Sequence, residues 1–289
     1  MLLKKNIELI LNSLKELNTY NLEDFFAINF KKTKIGWINY KNKKLLEGLF
    51  NLKSKQTLDM NEIILKESVW YEKVKSSLKI KCDEKCPVFK NQSIKPKKIF
   101  NQNEKLSINQ IIEVPRSLLF FFGFPAYGVH CNGWSIEKKK LFFYLSKRSK
   151  TVKKYPGLYD NLIGGGQPGN LSLRENLYKE GFEEVGVKKS FFKNSKLESV
   201  IDYCHVKNNL LHSAIIATYD VKVSEEFEFN NIDKEVQRVE KFELNETLKL
   251  LEEKKLKPNC IIPICDFLIR NFPGMFNNKS LKEIKKYLS

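Results

Sequence analysis

The sequence predicts an α/β protein in two parts. Residues 1–120 read as a smaller N-terminal α+β domain. Residues 121–289 read as an α/β/α sandwich around a mixed sheet, closed by C-terminal helices. Three observations carry this expectation. Apolar residues recur at helical spacing at the start of the chain and again over Glu62–Lys79. Beyond residue 120, strand-like runs parted by short polar turns alternate with helical stretches. Between them, a glycine-rich loop leads into a helix with an acidic end, in GGQPGNLSLRENLYKEGFEEVGV from Gly165 to Val187.

In chain order, residues 1–20 mix Leu and Ile at helical spacing with Lys and Glu, so an amphipathic helix is expected. Phe25–Asn39 alternates loosely and suggests strands around IGWI. Glu62–Lys79 is expected to be helical. Cys86–Lys105 is polar, carries Pro87 and Pro96, and reads as a connecting stretch. Ile108–Phe121 is compatible with a helix if Pro115 sits near an end. Ala126–Trp134 and Lys140–Lys147 are expected to pair through a charged turn at Glu137–Lys140. Asp160–Gly164 leads into the glycine loop, and Leu173–Val185 is the helix after it. Val200–Val206 and Leu210–Val223 form a hairpin turning at Asn208–Asn209. Val236–Glu243 is a further strand. Leu244–Lys254 and Cys260–Asn271 are helices divided by Pro258.

A chain of 289 residues with 42% hydrophobic content can bury real cores. No apolar run approaches the roughly 18–20 residues that cross a membrane. The first residues lack the apolar core of a signal peptide and the acid-poor character of a transit peptide, so a cytoplasmic location without membrane contact is expected. The net charge of +17 is spread over both parts of the chain. Diffuse lysine charge reads as solvated surface rather than a nucleic-acid face, and it favours an anionic ligand. The cysteines are Cys82, Cys86, Cys131, Cys204, Cys260 and Cys265; only Cys82 and Cys86, in CDEKC, are close, so reduced thiols are expected rather than structural zinc. The histidines, His130, His205 and His212, are too dispersed for a His-based metal site. His205 and His212 are expected to pack or line an edge. His130 is either a strand-face residue or a substrate contact.

The chemistry concentrates in the acidic helix. Glu180, Glu183 and Glu184 stand at i, i+3 and i+4, which share a helical face. Clustered carboxylates call for a cation, and hard oxygen ligands select Mg2+, Mn2+ or Ca2+. The glycines let backbone approach a ligand, and the helix N-terminus suits phosphate. A divalent metal held against a phosphorylated substrate is the expectation.

This segment resembles the Nudix box, Gx5Ex7REUxEExGU. Gly165 takes its first position, Lys179 its arginine, Glu180 the following glutamate, and Glu183–Val187 its EExGU ending. Leu171 stands in place of the first glutamate, Lys179 in place of arginine, and Gly181 in place of an aliphatic residue. Glu175 lies four residues before Lys179, so a Glu175–Lys179 pair is expected to substitute for the usual ion pair. The flanks GVHCNGW, KRSKTVKKYPGLYDNLIGGG, NNIDKEVQRVEKFEL and KPNCIIPICDFLIR, with FFAINFKKTKIGWI near the start, are similar to a plant and fungal branch of Nudix hydrolases. Members of that branch carry an extra N-terminal domain, and the fungal ones are fused to thiamine pyrophosphokinase.

The resemblance implies a Nudix sandwich and a hydrolase of phosphoric anhydride bonds that uses Mg2+ or Mn2+. Within the branch it implies thiamine diphosphate or its oxidised derivatives as the small-molecule substrate, cleaved to the monophosphate and phosphate in metabolite repair. It implies Gly165, Glu180, Glu183 and Glu184 at the metal, with Glu235 completing the catalytic set as ligand or general base. Arg148, Lys150, Tyr155 and Gly166 are the substrate-binding candidates; Trp134 is a further stacking candidate. Asp160 and Asn161 read as turn formers. Hydrolysis of nucleoside diphosphate compounds and a silent RNA-binding module remain alternatives. Isopentenyl diphosphate isomerase chemistry lacks its cysteine motif. A homodimer stays open.

Overall fold

A computed structural model describes residues 2–66, 69–80, 85–89, 110–224 and 226–288. Cys82 and most of the expected connecting stretch, including Pro96, lie outside those residues.

The chain opens with α1 (Lys4–Glu16), then a hairpin of β1 (Phe25–Phe30) and β2 (Thr33–Asn39), and α2 (Tyr40–Phe50). Asn39 caps α2 by accepting from Asn42 N–H. β3 (Leu58–Asp59) runs parallel to β1. The expected single helix over Glu62–Lys79 is instead two short helices, α3 (Met60–Lys66) and α4 (Trp70–Ser77). Their apolar sides join Ile28, Ile38, Leu46 and Phe122 in one core.

Two further expectations are corrected. Lys85–Phe89 is β4, and it pairs with β5 (Gln110–Pro115), where a helix was compatible with the spacing. Ile111, Ile112 and Val114 favour extended backbone, and a residue before proline is pushed out of the helical region. Among the described residues β4 and β5 pair only with each other, and a proline is tolerated in such a two-stranded ribbon. A single 3-10 turn, Arg116–Leu118, follows Pro115.

The second half is built on seven strands: β6 (Ala126–Glu137), β7 (Lys140–Arg148), β8 (Tyr159–Asp160), β9 (Ile163–Gly166), β10 (Leu197–Lys207), β11 (Leu210–Lys222) and β12 (Val236–Glu243). The spatial order is β10-β11-β6-β7-β12, with β8 on β7 and β9 on β6. β6 and β11 are parallel and the other pairs antiparallel, so the sheet is mixed. α5 (Leu173–Val185) covers one face through Leu173, Leu177 and Val185. α6 (Leu244–Glu252), α7 (Ile261–Asn271) and α8 (Asn278–Lys285) follow, and α1 returns to pack with α7 and α8. Ile7, Ile10 and Leu14 of α1 share the core of the opposite face with Phe143 and Phe267. The expected α/β/α layering around a mixed sheet is therefore present. Both predicted hairpin turns are too: Lys138–Lys139 and Asn208–Asn209 take positive φ, as two-residue turns require. α8 was not foreseen. No helix among the described residues is long and apolar enough to cross a membrane.

Candidate active site

The site forms where α5 crosses β9. Ser172 starts the helix through a reciprocal cap: its hydroxyl accepts from Glu175 N–H at 3.2 Å, and Glu175 Oε2 accepts from Ser172 N–H at 2.8 Å. Gly186 ends it in the left-handed region, φ 74°. Between these fixed ends, Glu180 and Glu184 turn toward β9.

β9 can receive them because it carries IGGG. A β-carbon added at Gly165 would stand 2.0 Å from Glu180 Cδ, so that carboxylate lies directly on the glycine backbone. Glu184 Oε2 accepts from Gly164 N–H at 3.0 Å. Glu184 is only 4% exposed. Its burial pushes the carboxyl well above its ordinary range, and the negative charges of Asp160 and Glu180 add to the effect. Burial also raises Glu180, against the opposing pull of Lys179 and Arg116.

Glu183 behaves differently. Its side chain is 38% exposed against 14% for Glu180, and it binds Lys179 Nζ at 2.7 Å. The three glutamates do not form one tight cluster. Among the described residues, the only three His, Cys, Asp or Glu side chains with ligand atoms all within 4.8 Å are His130, Asp160 and Cys260.

That second group is a buried polar network beside Glu184. Asp160 Oδ2 accepts from Lys257 Nζ at 2.8 Å and Arg148 Nη1 at 3.2 Å. Asp160 Oδ1 accepts from Asn161 N–H at 3.0 Å and from the Cys260 thiol at 2.8 Å. Burial alone would raise the Asp160 carboxyl, but Lys257, His130 and Arg148 outweigh it and hold it well below the carboxylate range. His130 Nδ1 lies 2.8 Å from Asn161 Oδ1, and burial lowers its pKa to about 4. With two cations already on Asp160 and the Cys260 thiol pushed upward by burial, this group is a satisfied network rather than a metal centre.

The remaining candidates divide. Arg148 is not an exposed strand end: it is buried on Asp160, donates to the Lys154 carbonyl, and lies 4.0 Å from Glu235 Oε2. Glu235 is exposed at the start of β12, beside that arginine. Lys150 is exposed in the loop after β7, where Tyr155 takes φ 52° and lies under Lys207. Gly166 accepts from Asn176 Nδ2 through its carbonyl at 2.9 Å. The Gly165 carbonyl oxygen lies in space that a side chain at Gly128 would fill. Trp134 packs on Phe267 in the core. His205 and His212 stack as a cross-strand pair, as expected. The five described cysteines are buried and none is in a disulfide. Sequence reasoning treated Asp160 as a turn former and overlooked Lys257 and Arg116. The motifs PGLYDN and KPNC held the first two, but nothing local joins them.

The sequence is similar to those of known proteins. Nudix hydrolase 24, chloroplastic, of Arabidopsis thaliana is 28% identical over 186 residues, covering 64% of this chain and 49% of that protein. Nudix hydrolase 20, chloroplastic, of the same plant is 29% identical over 152 residues, covering 52% and 41%. The uncharacterized protein YJR142W of Saccharomyces cerevisiae is 30% identical over 188 residues, covering 59% and 55%. Over these stretches the chain is similar to Nudix hydrolases. It spans about half the length of the curated relatives it matches. No family model matches it.

The structure bears on two departures from the box pattern, at Lys179 and Gly181. Glu175 does not replace the missing acidic partner of Lys179. Its carboxylate closes the helix cap with Ser172, and Lys179 pairs with Glu180 at 3.2 Å and with Glu183. Both Glu175 and Glu183 stand four residues from Lys179, and the cap claims the first. Gly181 replaces the usual aliphatic residue because Phe192 fills its place: a β-carbon there would meet Phe192 Cζ at 2.5 Å.

Proposed function

We propose that this protein is a divalent-metal-dependent hydrolase of diphosphate bonds. The observation that carries the reading is the pair Glu180 and Glu184, pressed by one helix onto a strand of three glycines. Their carboxylates are held at raised proton affinity by burial. Hard anionic oxygens in that state fit Mg2+ or Mn2+, whose charge would relieve them. Glu180 and Glu184 would hold the metal, with Glu183 and the Gly165 carbonyl as further ligands. A bound divalent ion would neutralise charge gathering on phosphoryl oxygens during attack by water.

The chain's own groups set the rest. Glu235 is the proposed general base, and Arg148 beside it would orient both Glu235 and a substrate phosphate. Phosphate binding by Arg148 would compete with Asp160 and Glu235, so it is a positioning group as well as a contact. Lys150 and Tyr155, in the loop after β7, would meet the organic part of the substrate, and Gly166 would line its phosphate. Residues 1–120 are taken as the N-terminal domain and 121–289 as the Nudix domain, with α1 packed back on the second.

For the substrate, the flanking likeness to the thiamine-linked branch favours thiamine diphosphate and its oxidised derivatives, in a cytoplasmic repair role. Nudix hydrolysis of nucleoside diphosphate compounds is the other class to test. A panel of both classes with Mg2+, scored by which phosphates are released, decides between them. Faster turnover of oxidised thiamine diphosphate is expected. Turnover of nucleotides alone would end the thiamine assignment. Tight, sequence-selective RNA binding near physiological salt without any turnover would end the hydrolase reading.

A further inference from the structure

The glycines of β9 form a strand without side chains, and groups approach it from both faces. A β-carbon on Gly164 would meet Asp160 Oδ1 at 3.1 Å and His130 Cε1 at 3.3 Å. One on Gly165 would collide with Glu180. One on Gly166 would stand 2.8 Å from Arg116 Cζ, 3.0 Å from Nη2 and 3.1 Å from Nη1. Successive side-chain positions on a strand alternate in face. Glu180 therefore lies on one face, while Arg116 shares the other with Asp160 and its two cations. The three nearly equal distances mean that the guanidinium lies flat on the Gly166 backbone.

Arg116 comes from outside the Nudix box and outside the sheet that carries it. It heads the 3-10 turn after Pro115, and Leu118, Leu119 and Phe122 anchor that turn in the N-terminal core. The same segment meets the loop again at Gly169, where a β-carbon would stand 2.7 Å from Gln110 Oε1 and 2.9 Å from Glu113 Oε1. The N-terminal half thus seats on the box loop at two glycines and brings a cation to one of them. That cation is close enough to Glu180 to lower its proton affinity.

We propose that Arg116 is a diphosphate-binding residue supplied in cis by the N-terminal half, gripping phosphate oxygens beside Gly166. The role rests on the hydrolase reading above and adds a function for the N-terminal half. Arginine suits it because its planar fork can offer two N–H donors to one phosphate, which lysine cannot. Arg148 and Lys257, which pair with Asp160 on the same face, would add to the positive field there.

The test uses the full chain and methylenediphosphonate, a diphosphate that cannot be hydrolysed, titrated by calorimetry with and without Mg2+. Arg116→Ala and Arg116→Gln should each weaken Kd by at least about tenfold and reduce the salt dependence of binding. Gln110→Ala, which loosens the same seat without removing charge, should leave Kd unchanged. With a turned-over diphosphate, both Arg116 variants should raise KM more than they lower kcat. Arg116→Gln keeps a planar polar end, so it serves where Arg116→Ala does not fold. Unchanged Kd and KM in a folded Arg116→Gln, with only its melting temperature lowered, would reduce Arg116 to an interface residue and overturn the proposal. Arg116-dependent binding without turnover of any diphosphate would instead overturn the hydrolase reading and leave this one standing.

Discussion

Asp160→Asn is the sharpest probe of how the site is held. Asp160 carries two cations on one oxygen, Lys257 at 2.8 Å and Arg148 at 3.2 Å, and none of the three side chains is more than 14% exposed. Solvent therefore screens the cluster little. Asparagine keeps the shape and one acceptor, but it removes the carboxylate that pairs with Lys257 and turns an amide toward two cations. Breaking a buried pair by removing one partner costs about 3–5 kcal/mol. A domain's whole stability is about 5–15 kcal/mol, so the variant should unfold at markedly lower urea with an unchanged slope. The pH dependence has a definite sign. The folded Asp160 carboxyl is held below its ordinary value, so its contribution is complete above the unfolded value, about 3.9. It is lost only as pH falls toward the folded value. Wild type and variant should differ by a constant amount from about pH 5 to 8 and converge in stronger acid. Adding Lys257→Met to Asp160→Asn should recover part of the loss. A loss below about 1 kcal/mol at pH 7, the range of solvated surface pairs, would refute the buried pairing.

Glu184→Gln should lower turnover by at least about two orders of magnitude with the fold retained, because the amide oxygen can still accept from Gly164 N–H. In EDTA, wild-type stability should fall by up to about 1.4 kcal/mol per pH unit as pH rises from about 4.3 toward the raised Glu184 value, and the variant should lack that slope. Parallel curves would place Glu184 in a solvated setting. Glu175→Ala should cost about 1 kcal/mol in a melt through loss of the carboxylate that accepts from Ser172 N–H and Oγ, while sparing activity; a large activity loss at unchanged stability would put Glu175 in the catalytic set. Gly181→Ala should destabilise by about 1–3 kcal/mol, although helix propensity alone favours alanine by about 1 kcal/mol. The added carbon meets the buried Phe192 ring, and urea curves showing a gain would mean that the ring moves freely.

Elements whose signals lie within a few residues were legible from sequence. The box helix runs from Leu173 to Val185 as read, because Ser172 and Gly186 mark its ends and Leu173 and Leu177 mark its buried side. β12 and the Asn208–Asn209 turn follow from equally local cues. The segment around Pro115 was read as compatible with a helix, and pairing with β4 made Gln110–Pro115 a strand instead. The i, i+4 spacing of Glu180 and Glu184 suggested the chemistry proposed above, but the same spacing left Lys179 two partners, and only the cap on Ser172 chose between them. The network on Asp160 was beyond local reading. Lys257 and Cys260 lie 97 and 100 residues away from it, and Arg116 reaches Gly166 from the other half of the chain. Backbone hydrogen bonding and hydrophobic period act over a turn or a strand, so a sequence displays them directly. Charges separated by a hundred residues meet only after sheet register and helix packing have set where each backbone runs.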